Sequence, residues 1–214
     1  MTNGTKNIVK CVIVLAVISL ICVALLSAAN VFLKVVPTLD QSTAAMINKM
    51  CPSGVDDQTA FEEDYFKMFT DEELAQMGFN LSDFNKKNGS AKNKVTAIYF
   101  IQKGDSAGRF VIESTGMGYY DMSVLTAFDD MGAISGVIVK AHTEDSFAGQ
   151  ILSEERFKAF TDSVIGKTTV PSPSDVMATT GATTSYSTRG LTSAVSVAAK
   201  VIQSLIATPS PLEV

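Results

Sequence analysis

Residues 178–188 (ATTGATTSYST) carry seven serine and threonine hydroxyls and no charge. Hydroxyls at this density can donate to the oxygens of an anion, and Gly181 and Ala182 let a main chain approach a ligand closely. Downstream, Leu191, Ala194, Val195, Ala198, Ile202, Leu205 and Ile206 recur at helical spacing and predict a helix from about Leu191 to Ile206. A helix N-terminus offers free N–H groups and partial positive charge to a phosphate. A threonine hydroxyl presented there can itself be esterified to one. The plainer reading is that such hydroxyls compete for local backbone bonds and serve loops and helix caps.

Other chemistries find little support. The single histidine, His142, cannot anchor a multi-His metal site, and Cys11, Cys22 and Cys51 form no CxxC or CxxCH motif. The net charge of −5 lacks the clustered Lys and Arg that nucleic acid requires. No substrate-activating triad is evident.

The elements that must position the cluster read as an α+β domain. Residues 41–50 suit a short amphipathic helix. Thr70 caps a helix opened by Asp71, Glu72 and Glu73, acids that suit the helix dipole. Strands are expected at 95–101, from Phe110 to Glu113, at 122–128 and at 133–141, with turns at Gly104-Asp105, Gly108 and 129–132. In the last strand Val137 and Val139 fall on one face, Ile134 and Ile138 on the other. Gly116-Met117-Gly118-Tyr119-Tyr120 punctuates the middle. Residues 153–165 read as a helix with an imperfect Ser153–Arg156 capping box, residues 170–175 as a Pro/Ser loop, and 179–188 as the hydroxyl-rich loop.

Residues 11–33 run without a charge for longer than the roughly 20 residues that cross a bilayer. Lys6 and Lys10 precede this span and only Lys34 closely follows it, which predicts a cytoplasmic N-terminus at 1–10. A cleaved signal peptide has a shorter apolar core, so an uncleaved anchor is the expectation. The remainder divides into a helical linker region at 34–92 and an extracytoplasmic domain at 93–214.

Thr180-Gly181-Ala182-Thr183 resembles the flavinylation motif of the FMN-binding domain family, Ser/Thr-Gly-Ala-Thr. The likeness continues through Gly116-x-Gly118-Tyr119, Asp130-x-Gly132-x-Ile134-x-Gly136-Val137, His142-x-Glu144 and Arg156-Phe157 to Gly166-Lys167. In this order, with one N-terminal span, they resemble the G subunits of Rnf-type ion-translocating ferredoxin:NAD oxidoreductase complexes. The resemblance implies one transmembrane helix followed by an FMN-binding domain with an antiparallel sheet flanked by helices. It implies FMN joined through a phosphodiester to Thr183 by an extracytoplasmic flavin transferase that uses FAD. Thr180, Gly181, Ala182, Thr184, Gly118, Tyr119, His142 and Glu144 would line the cofactor. It further implies an electron relay among other membrane subunits of such a complex, at the cell (inner) membrane, inactive alone as an oxidoreductase.

Three places depart from the family pattern, one of them Thr184-Ser185-Tyr186-Ser187-Thr188, which keeps the family's hydroxyl character after the modified Thr but not its register. Met177 stands where the family has Asp six residues before the modified Thr. Asp145-Ser146-Phe147-Ala148-Gly149 replaces Thr-Pro-Gly-x-Gly. On the residues alone, His142-x-Glu144 also suits a polar strand end, and Tyr119 either stacks on a ring or packs beneath one. Two alternatives accompany this reading: a C subunit of Na⁺-translocating NADH:quinone reductase or another exterior flavin carrier, and a membrane-anchored binding or sensory module with no redox role.

Overall fold

A computed structural model describes residues 39–145 and 148–207, together with Ala16, Ser19, Leu20, Cys22 and Val23. Those five residues are helical and belong to a first unit, residues 1–37. The rest of the expected span and its cytoplasmic flank lie outside the described residues, as do Ser146 and Phe147. Residues 38–214 form a second compact unit. Residues 39–92, read from the sequence as a helical linker, pack within it.

In chain order this unit runs α1 (Gln41–Met50), α2 (Asp57–Glu62), β1 (Phe66–Met68), α3 (Asp71–Gln76), α4 (Leu81–Asn88), β2 (Lys94–Ile101), β3 (Phe110–Met117), β4 (Asp121–Phe128), β5 (Ile134–His142), a 3₁₀ segment (Ala148–Leu152), α5 (Glu154–Val164), α6 (Pro173–Thr180) and α7 (Ser185–Ala207). The five strands pair antiparallel in sequence order, so the fold is α+β around a β-meander. Alternation along the strands gives the sheet two apolar faces. Ile98, Ile112, Val124 and Phe128 meet Leu191, Val195 and Ile202 of α7 on one face; Ala97, Val111 and Leu125 meet Ala44 and Ile47 of α1 on the other. Each Leu, Ile or Val buried in this way contributes about 1.5–3 kcal/mol.

Among the described residues α7 is the one helix long and apolar enough to cross a membrane. Its apolar side is already committed to the sheet, with twelve residues buried.

Thr70 caps α3 as expected and completes a capping box, its main-chain N–H donating to Glu73 Oε2 at 2.9 Å. The turn between β4 and β5 is held by Asp129, whose Oδ1 accepts from Ala133 N at 2.8 Å, with Gly132 in the left-handed region. Three expectations need correction. In β5, Ile134 shares a face with Val137 and Val139, because a β-bulge at Ser135 reverses the alternation. Ser153 sits at the N-cap of α5 but makes no side-chain cap. The Pro/Ser stretch at 170–175 is half helix: Ser172 caps α6 and Pro173 takes its first position, where a missing N–H costs nothing.

The second face also holds a polar network. Glu113 accepts from Tyr99 Oη at 2.7 Å, Ser123 Oγ at 2.9 Å and Lys140 Nζ at 3.1 Å. Burial, then the adjacent Glu113, push the Tyr99 phenol well above its ordinary value. Lys140 also reaches Asp40, the N-cap of α1, at 3.7 Å. Hydrogen bonds from Ser42 and Thr43 hold the Asp40 carboxyl well below the usual carboxylate range. A depressed carboxyl adds stability above its unfolded value of about 3.9 and loses it as pH falls through the folded value. Asp40→Asn should therefore flatten the loss of stability below about pH 4, as read from denaturant midpoints between pH 5 and pH 2; an unchanged acid limb would refute this.

Candidate functional site

Only residues 181–184 of the hydroxyl-rich stretch lie outside helices. Thr179 and Thr180 end α6, and α7 begins at Ser185, six residues before its expected start at Leu191. Periodicity located the packed part of α7 but missed its first turns, where Ser185, Ser187 and Thr188 read as loop. Three of the seven hydroxyls in the stretch bond the backbone of a preceding helical turn. Thr179 Oγ1 donates to Asp175 O at 2.9 Å, Thr180 Oγ1 to Val176 O at 2.8 Å and Thr188 Oγ1 to Thr184 O at 2.8 Å. These bonds bear out the plainer reading for those three residues.

The corner itself is different. Gly181 terminates α6 at φ 66°, its N–H closing on Met177 O at 2.9 Å, and a Cβ there would meet no atom within 4 Å. Ala182 turns inward and is buried in the α7-side core. Thr183 is exposed. Its N–H and its Oγ1 both donate to one acceptor, Gln150 Oε1, at 3.1 and 2.9 Å. Thr184, just before α7, is 5% exposed, and its Oγ1 has no hydrogen-bond partner. The residue placed to cap α7 therefore leaves the first-turn N–H groups uncapped by its side chain.

Two glycines bring this corner to the end of the sheet. A Cβ on Gly116 would lie 2.1 Å from Gly190 O, and one on Gly190 would lie 2.6 Å from Gly118 N. Strand β3 and helix α7 thus touch main chain to main chain. Glu144 ties the same elements together. It is 7% exposed; Oε1 accepts from Tyr120 N at 3.0 Å and Oε2 from Ser187 Oγ at 3.0 Å. Gly118 is required beneath it, since a Cβ would lie 2.7 Å from the main-chain Cα of Ser187 as well as 2.3 Å from Glu144 Oε1.

Above this buried layer Tyr119 and Tyr186 are about half exposed, their ring centroids 5.0 Å apart and tilted by 47°. The Arg189 guanidinium lies over Tyr186, 5.7 Å from its centroid.

The structure thus brings Gly118, Tyr119, Glu144 and Thr180 to Thr184 to one end of the sheet. His142 is exposed at the end of β5, opposite Met122. Thr180, Ala182 and Glu144 face inward, so their direct part is in the framework. Gln150 and Arg189 escaped the sequence reading, and Tyr186 and Ser187 entered it only as members of the hydroxyl-rich stretch. Tyr186 and Arg189 carry a local signal, an aromatic and a cation three apart on a helix; Gln150 carries none, being 33 residues from Thr183.

The residues fit an esterified phosphate on Thr183. Thr183 is exposed, and the start of α7, which the Thr184 side chain does not cap, follows within two residues. Comparison with protein-family models, curated proteins and solved structures finds no match to this chain.

Proposed function

We propose that this chain is a membrane-anchored electron-transfer flavoprotein, with FMN linked through its phosphate to Thr183. The observation that carries the reading is the corner between α6 and α7. There one exposed threonine hydroxyl stands before a helix start whose own threonine, Thr184, leaves its buried hydroxyl unpartnered. When bound, FMN supplies one- and two-electron transfer; the protein supplies placement and tuning. Thr183 fixes the phosphate. The first turn of α7 would neutralise part of its charge, and the half-exposed, mutually tilted rings of Tyr119 and Tyr186 offer aromatic surface on the solvent side. A covalent tether also replaces bimolecular binding with a fixed local concentration outside the cell, where free cofactor is dilute.

On this reading residues 11–33 anchor the domain extracytoplasmically, and the chain relays electrons within an Rnf-type complex whose other subunits carry the ion path. A second reading keeps the corner as a helix junction in a binding module, favoured by the backbone bonds of Thr179, Thr180 and Thr188.

One experiment separates the two. Full-length protein co-expressed with a flavin transferase should gain the mass of FMN less water and fluoresce in a denaturing gel. Thr183→Ala should lose both signals completely while Thr184→Ala keeps them. A dark wild-type band of unmodified mass rejects the proposal.

A further inference from the structure

We infer that Gln150 is the positioning residue for Thr183 as a phosphoryl acceptor, an inference that rests on the flavinylation reading above. The main-chain N–H and the hydroxyl of Thr183 converge on the same carboxamide oxygen, at 3.1 and 2.9 Å. This pairs backbone and side chain of an exposed residue to a group on a separate element. Thr183 lies in a four-residue link between helices, and its hydroxyl would otherwise sample three rotamers and rotate freely about its C–O bond. Gln150 holds one rotamer and directs the hydroxyl hydrogen inward. The oxygen lone pairs are then free of that bond and open to an approaching phosphorus atom.

Gln150 is itself held. It sits in the 3₁₀ segment, where its carbonyl accepts from Ser153 N at 3.2 Å. Gly149 N binds Asp145 O at 2.6 Å, next to the buried Glu144. The brace that orders the corner therefore extends from Glu144 through this segment to Thr183.

The step it prepares is balanced. The Thr183 Oγ1–P bond forms on the FMN phosphorus of FAD, the P–O bond to AMP breaks, and AMP departs with the bonding pair. The hydroxyl proton passes from this hydrogen bond to a base of the transferase. An amide oxygen is far too weak a base to keep it, so Gln150 orients and does not act as general base.

The test is the rate of flavin transfer to the full chain by purified transferase and FAD, followed by mass. Gln150→Leu and Gln150→Ala should lower kcat roughly ten-fold, the scale expected for a misplaced reacting group. KM for the acceptor protein and the thermal midpoint should hold. Gln150→Glu, which keeps the acceptor oxygen at the same reach, should stay within about two-fold of wild type. Wild-type kcat in Gln150→Leu, or an equal loss in Gln150→Glu, would overturn the assignment and leave Thr183 flavinylation standing. A wild-type protein that takes no flavin would overturn both.

Discussion

Gly190→Ala should destabilise the 38–214 unit by about 2–3 kcal/mol, the scale of overpacking a filled interior. Helix propensity alone predicts the opposite sign, because alanine is favoured over glycine by about 1 kcal/mol inside a helix. Packing decides the outcome. The new methyl would lie 2.6 Å from Gly118 N and 2.7 Å from Met117 C, both main-chain atoms of the neighbouring segment. No rotamer change relieves a clash with backbone, so α7 must lift from β3. Gly116→Ala should cost at least as much, with Gly190 O at 2.1 Å from the added carbon. Equilibrium denaturation measures both, and a Gly190→Ala protein as stable as wild type would show that helix and strand do not meet here.

Glu144→Ala should cost about 3 kcal/mol, the range for losing hydrogen bonds to a buried charged acceptor. It strands Tyr120 N–H and the buried Ser187 hydroxyl together. Glu144→Gln should cost roughly 1 kcal/mol, since the amide keeps an oxygen for Tyr120 and its other end can still meet Ser187. The contrast separates a brace from a cofactor ligand. A brace changes stability in free protein; a residue that only touches flavin would leave unfolding of the unmodified chain unchanged.

Parts of this architecture were open to reading from the residues. β2, β4 and β5 announced themselves through β-branched alternation, the β4–β5 turn through Asp129 and Gly132, and the packed stretch of α7 through its period. Others required tertiary information. Ile134 changed sides because Ser135 bulges, and a bulge leaves no mark in a hydropathy pattern. α6 was hidden by Thr179 and Thr180, whose hydroxyls favour loops in isolation yet here bond back to the preceding turn; Ser172-Pro173 was the overlooked start signal. β1 spans three residues and exists through its pairing with β2. At the candidate site, motif chemistry singled out the loop and Thr183. The Gln150 contact and the Gly116–Gly190 approach join residues far apart in the chain, beyond any local pattern.

The position of α7 in the chain bears on when the corner comes into existence. Helix α7 follows every other described element, and it packs on β2, β3 and β4. Synthesis proceeds from the N-terminus, so the strands emerge before their cover does. Until α7 docks, Glu144 lacks Ser187, and the corner ahead of that helix has no fixed frame. Presentation of Thr183 is thereby tied to completion of the core. If Thr183 is modified as proposed, an enzyme that requires the ordered corner would act on folded domains and pass over incomplete ones, so the modification would also report that folding has ended.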